Sequence, residues 1–211
     1  MRRLLLSVSS ALLVVPISAF ALSFTDVPKN SRYADAINAL SDSGIINGNP
    51  DATFRPATPI NRAAILKMAY KAAKLTPDAS ATKCFPKDVP EDSWFAMYVC
   101  DAVLRKFVSG YANDNTFRPS AMVTVAESLK IMMEVLEIPA PAVTADDVNI
   151  LPFKISPYAW YAPYVVEATR LKVLPLPDQG IEFYLNDPVE RQQAAELLYR
   201  LWKIWLNRQN D

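Results

Sequence analysis

Two cysteines, Cys84 and Cys100, and the lack of any histidine decide much of the chemistry open to this chain. Without an imidazole there is no Ser–His or Cys–His nucleophile pair and no histidine-ligated metal, and two cysteines alone make a poor metal site. The 22 acidic residues include no arrangement that singles out a carboxylate pair of the kind that cleaves glycosides. No cofactor, metal or catalytic group is expected. Arg62 and Arg191 fall near expected helix starts, where the helix dipole does not favour a cation. That placement asks for a role beyond helix stability, either a ligand contact or an ion pair between parts of the chain. Trp94 and Trp160 are expected in packing more than as platforms for a sugar ring. The turns Asn49-Pro50-Asp51 and Asn113-Asp114-Asn115 lack the alternating acids and closing glutamate of a calcium loop, and turn geometry accounts for them.

The compartment is written in the first residues. Arg2 and Arg3 precede an apolar run from Leu4 to Ile17, and Ala19-Phe20-Ala21 follows. This is the layout of a secretory signal peptide cleaved after Ala21, with an apolar run short of the roughly 20 residues needed to span a bilayer. No transmembrane anchor is expected after cleavage. In an exported chain an even pair of cysteines is expected to form a disulfide, Cys84–Cys100. Loss of Arg2 and Arg3 from a balance of 22 basic and 22 acidic residues leaves a small acidic excess, which gives no footprint for nucleic acid.

The elements that must position these residues repeat. Asn49-Pro50-Asp51-Ala52-Thr53-Phe54-Arg55-Pro56 is echoed by Asn113-Asp114-Asn115-Thr116-Phe117-Arg118-Pro119. Phe24-Thr25-Asp26-Val27-Pro28 is echoed by Phe85-Pro86-Lys87-Asp88-Val89-Pro90. A looser third copy matches Trp160-Tyr161-Ala162 to Trp94-Phe95-Ala96 and places Phe183 where Phe54 and Phe117 fall. Its opening is stretched, because Asp147-Val148 stands farther from Trp160 than Asp88-Val89 does from Trp94, and the extra residues are expected to form a loop. With 4 glycines against 17 prolines, helices separated by rigid turns are expected.

Each copy reads as a short helix, a turn and a longer helix. In the first, Ser31 or Asn30 is expected to cap a helix with the stripe Tyr33, Ile37 and Leu40, and Gly44 to supply a left-handed stop. The longer helices carry wide apolar faces: Ile60, Ala63, Ile65, Leu66, Met68 and Ala69, then Val123, Ala126, Leu129, Met132, Met133 and Leu136. The third face is Val189, Ala194, Leu197, Leu198, Leu201, Trp202 and Trp205. One such unit cannot bury its own face, so three should share a core. The expected organisation is all-α, with a signal peptide over 1–21 and helix-turn-helix repeats over 22–78, 83–139 and 145–207.

Gly44-Ile45-Ile46-Asn47-Gly48, Asp51-Ala52-Thr53-Phe54-Arg55-Pro56 and Ile60-Asn61-Arg62-Ala63-Ala64 resemble the S-layer homology domain, whose repeats read F-x-D-V, W-Y-A, G-I-I-x-G, D-G-T-F-x-P and I-T-R-A-E. The resemblance implies a pseudo-threefold bundle at the cell surface, with inter-repeat grooves that bind secondary cell-wall polysaccharide, often carrying pyruvylated sugars. It also implies a cargo, expected outside these 211 residues. A pyruvate ketal presents a carboxylate that a guanidinium can meet with two parallel hydrogen bonds. By the family pattern that arginine falls on Arg62, Val125 and Arg191, so the middle repeat has lost it, although Glu127 keeps the motif's acidic end. Ala64 and Gln193 stand where the family has glutamate. Lys172-Val173-Leu174-Pro175-Leu176 replaces the glycine-bearing motif in the third copy, where a remodelled loop is expected. The resemblance thus assigns glycan binding to Arg62 and Arg191, with Asp51, Asp114, Trp94 and Trp160 as lesser groove residues. The rival reading is a structural or adaptor module that docks other envelope proteins without binding glycan.

Overall fold

The structure is a computed structural model that describes residues 24–84, 86–149, 151–175 and 185–210. The expected signal peptide, Phe85, Leu176 and Phe183 lie outside the described residues. Among the described residues there are seven α-helices and no strand: α1 (Ala34–Asp42), α2 (Arg62–Ala72), α3 (Ala96–Leu104), α4 (Val125–Val135), α5 (Ala145–Asn149), α6 (Ala162–Arg170) and α7 (Arg191–Gln209). None of them is long and apolar enough to cross a membrane.

The longer helices α2, α4 and α7 pack against one another, and each also takes a short helix on its flank: α3 on α2, α6 on α4 and α1 on α7. The apolar faces expected from periodicity are buried, from Ile65 and Leu66 through Leu129 and Met132 to Leu197 and Leu201. Trp202 and Trp205 are only partly buried, because α7 runs on beyond the length of α2 and α4.

How the long helices begin explains how they meet. A helix start leaves its first N–H groups without intrahelical partners, and here carbonyls of a neighbouring segment take them. Arg62 N donates to Ala121 O (2.9 Å), Val125 N to Asp187 O (3.2 Å) and Arg191 N to Thr58 O (2.9 Å). The next N–H groups follow suit, Ala63 to Pro119 O, Ala126 to Leu185 O and Gln192 to Pro56 O. The third donor of each helix goes to its own N-cap side chain: Ala64 N to Asn61 Oδ1, Glu127 N to Thr124 Oγ1, and Gln193 N to the Glu190 carboxylate. Just upstream, Ile60 N donates to Val189 O, Val189 N to Val123 O and Val123 N to Ile60 O, which closes a ring of three backbone hydrogen bonds.

Several local expectations are corrected. The short helix α1 has Tyr33 at its N-cap with no side-chain cap; Ser31 Oγ instead accepts from Tyr33 N in the turn before it. Gly44 does adopt φ +69°, but Lys106 (φ 64°) and Lys172 (φ 58°) take the same bend without glycine. The bonds after the bend also repeat: Ile45 and Ile46 N–H reach Leu40 O, Phe107 and Val108 reach Ala102 O, and Val173 and Leu174 reach Ala168 O. The third loop therefore follows the others as far as Leu174, which a cis peptide bond joins to Pro175. The stretched opening of the third copy is not all loop, since α5 forms within it, led by Thr144, whose N–H and hydroxyl donate to Asp147.

Asp26 and Asp88 have a structural duty that the sequence pattern hides. The two oxygens of Asp26 accept from Phe54 N and Arg55 N, each at 2.7 Å, and Asp88 does the same for Phe117 N and Arg118 N at 2.7 and 2.8 Å. Arg55 and Arg118 both sit at φ 59°, a conformation costing an L-residue roughly 1–2 kcal/mol. Asp26→Asn, with one accepting oxygen and no charge, is expected to destabilise the protein by about 1–3 kcal/mol, read as a shift in the urea midpoint. Asp147, at the corresponding place in the third copy, accepts from Thr144 N and Oγ1 and pairs with Arg170.

Candidate functional site

Arg62 and Arg191 are the first residues of α2 and α7, and the closed ring aims both across a boundary between segments. The Arg191 guanidinium lies 4.5 Å from the centroid of the Phe54 ring and donates to Phe54 O (2.9 Å) and Asn47 O (3.3 Å). The Arg62 guanidinium lies 4.8 Å from the Phe117 ring and 5.6 Å from the Tyr111 ring, and donates to Ser109 O (3.2 Å). The two arrangements share the ring face and the carbonyl, Phe54 and Asn47 O at Arg191 matching Phe117 and Ser109 O at Arg62. Neither guanidinium forms an ion pair among the described residues, so the inter-repeat salt bridge considered from the sequence is replaced by carbonyl and ring contacts. Burial draws the pKa of both arginines down from its ordinary value, and Arg62 Nε is buried with no hydrogen-bond partner. The helix-start N–H groups are already taken, so they are not free to meet an anion here.

Each arginine opens onto a concave space. A cavity of about 310 Å³ is bounded by Arg62, Ser109, Tyr111, Glu127, Lys130 and Trp160. A smaller one, of about 190 Å³, is bounded by Asn47, Ala64, Lys67, Lys71, Trp94 and Arg191. Trp94 and Trp160 are about half exposed, at 52% and 54%, so each ring leaves part of its surface open to solvent. Each ring stands edge-on to its neighbour, Phe95 or Tyr161. Each is also approached by a lysine, with Lys67 Nζ 5.0 Å from the Trp94 centroid and Lys130 Nζ 6.0 Å from that of Trp160.

Lys67 and Lys130 were not singled out from the sequence, although they are the sixth residues of α2 and α4 and obey the same spacing as the repeated motifs. Asp51 and Asp114 border neither cavity. Each closes its own turn, Asp51 accepting from Thr53 N and Oγ1 and from Arg55, and Asp114 from Thr116 and Arg118. The threonine hydroxyl foremost holds each carboxyl below its ordinary pKa, joined by the Thr53 N–H at Asp51 and by Arg118 at Asp114.

At the third boundary the constellation is different. Val125 opens α4 and is buried, and the sixth residue of α7 is Glu196 rather than lysine. Arg200 pairs with Glu196 (2.7 Å) and donates to the carbonyls of Lys172, Val173 and Pro175. Arg32 stands where the other segments place tryptophan, and is exposed.

An all-helical module whose neighbouring segments meet at arginine-headed grooves is the class that fold and site define, and residues 23–65 and 87–127 match the S-layer homology domain. The chain is 32% identical over 120 residues to an S-layer protein of Bacillus licheniformis, covering 57% of this chain and 13% of that protein. It is 32% identical over 120 residues to a cellulosome-anchoring protein of Acetivibrio thermocellus, covering 56% of this chain and 26% of that protein. With an S-layer protein of Bacillus thuringiensis subsp. finitimus it shares 30% identity over 144 residues, 67% of this chain and 16% of the relative. The matched region is thus a small part of each of these longer proteins.

Proposed function

We propose that this chain attaches non-covalently to the cell envelope by binding anionic secondary cell-wall polysaccharide in the grooves headed by Arg62 and Arg191. The observation that carries the reading is the duplicated constellation itself: arginine on a ring face, a lysine and a half-exposed tryptophan around a cavity, formed twice from different stretches of sequence. A desolvated guanidinium suits a ketal carboxylate, and the indole offers an apolar surface for a sugar ring. Relatives described as S-layer and cellulosome-anchoring proteins support a surface location, as does the export signal expected over residues 1–21. The third segment, 145–207, is on this reading a third repeat in a pseudo-threefold bundle, supported by the cyclic hydrogen bonds of the three helix starts. Its groove, with Val125 in place of arginine and Arg200 bound to the loop carbonyls, is not a glycan site.

Sedimentation of the protein with purified wall polymer tests this. Arg62→Ala and Arg191→Ala are each expected to weaken binding about tenfold or more, the worth of a charge-assisted hydrogen bond, and the double variant to abolish it while the unfolding midpoint confirms a folded protein. Removal of pyruvate from the polymer should mimic the double variant. Binding unchanged in the double variant would overturn the assignment. Capture of an envelope protein with no affinity for any wall polymer would favour the adaptor reading, for which the 69%-exposed Leu104 is the natural surface to mutate.

A further inference from the structure

The two arginine grooves differ in charge, and that difference is set by two helix positions, the third and the tenth. The wall of the Arg191 groove is α2, which supplies Ala64, Lys67 and Lys71 as its third, sixth and tenth residues. The wall of the Arg62 groove is α4, whose third, sixth and tenth residues are Glu127, Lys130 and Glu134. Glu127 and Lys130 border the Arg62 cavity itself, and Glu134 borders the adjoining space together with Lys130. One groove therefore presents three cations and no carboxylate, and the other, with its adjoining space, offsets Arg62, Lys130 and Lys106 with the carboxylates of Glu127 and Glu134. Nor are those carboxylates turned away by strong cationic partners. Glu127 accepts from Thr124 N and, at 3.4 Å, from the Tyr111 hydroxyl, and Glu134 accepts from the Tyr164 hydroxyl. In the Arg191 groove Lys71 donates to Gly44 O and Lys67 rests over Trp94. The nearest acid behind Arg191 is Asp26, already engaged by two backbone N–H groups. The cationic groove is also the smaller, about 190 against 310 Å³.

Resting on the glycan-binding reading, we propose that the grooves divide the polymer by charge: the Arg191 groove takes a compact saccharide unit bearing two or more negative charges, such as a phosphorylated ketal-bearing sugar, and the Arg62 groove takes a bulkier unit bearing one. A lysine added or a glutamate removed within a few ångströms of a further ligand charge is expected to alter affinity for it roughly tenfold, about 1.4 kcal/mol. The effect is screened by salt.

The tryptophans provide a separate reporter in each groove. Indole N–H resonances of Trp94 and Trp160 would be followed in 15N-labelled protein during titration with a methyl glycoside bearing one pyruvate ketal, and with the same glycoside carrying a phosphate monoester. The phosphorylated probe is expected to lower the Trp94 midpoint roughly tenfold relative to the singly charged probe, with a change below about threefold at Trp160. Ala64→Glu should erase most of the gain at Trp94. Glu127→Gln should create a gain at Trp160 while preserving the helix cap, since Gln193 already accepts from Glu190 N in the corresponding place in α7. Equal responses of the two indoles to the phosphate, or no effect of Ala64→Glu, would overturn the charge division and leave glycan binding intact. Failure of the singly charged probe to move either indole would overturn both.

Discussion

Phe54→Ala and Phe117→Ala are each expected to destabilise the protein by about 3–5 kcal/mol, the cost of emptying a well-packed aromatic site. Both rings are essentially fully buried, at 1% and 0% exposure. Each forms the floor beneath an arginine of the neighbouring segment, and Phe54 also packs on Phe24 with ring centroids 5.3 Å apart. Stability and site therefore share one side chain. Phe54→Leu separates them: most apolar volume remains, the π-face under Arg191 is lost, and a loss of about 0.5–2 kcal/mol is expected. Urea unfolding with matched wall-polymer sedimentation reads both effects. If Phe54→Leu weakened binding no more than a distant core substitution of equal cost, the ring would be packing alone.

The second large effect is expected from the cystine. Cys84 and Cys100 are bonded, with 16 residues of sequence separation, and Cys100 is fully buried in α3. In the chain-entropy account, closing a loop of this size removes about 3 kcal/mol of freedom from the unfolded chain. The bond ties the connection after α2 to α3, beside the point where Tyr70 Oη and Arg105 Nε both donate to buried Asp101 at 2.7 Å. The Cys84→Ala, Cys100→Ala double variant is expected to lose about 3 kcal/mol in oxidising buffer and to be indifferent to reductant, whereas the native protein should fall towards it when reduced. An unchanged midpoint for the reduced native protein would show that the bond does not constrain the chain.

Periodicity was enough to find α1 to α4 and α6, because a helix that buries one face must repeat its apolar residues on that face. It also placed the longer third helix, but not the partial exposure of Trp202 and Trp205, which depends on how far α7 outruns its neighbours. What escaped the sequence is written in the backbone or in angles. The left-handed bends at Lys106 and Lys172 carry no glycine to announce them. The carbonyls that cap the helix starts have no side-chain signature. Asp26 and Asp88 sit in loops whose sequence does not show that each pins a turn nearly thirty residues away. Arg62 and Arg191 were legible through their repeated place at a helix start. Lys67 and Lys130 obey the same spacing, but lysine on a helix flank is ordinary and carries no signal of its own.

The ring formed by Ile60, Val123 and Val189 also governs how the molecule can come apart. A stack with free ends can shed or gain a unit at either end, each interface standing alone. A cycle has no end unit: removing any of its members strips hydrogen-bond partners from both of the others and exposes two seams at once. Closing it joins residues from near the start and near the end of the chain, an entropic cost met only when every seam forms. Partial unfolding of the ring should therefore be scarce. The three segments are expected to unfold as one body.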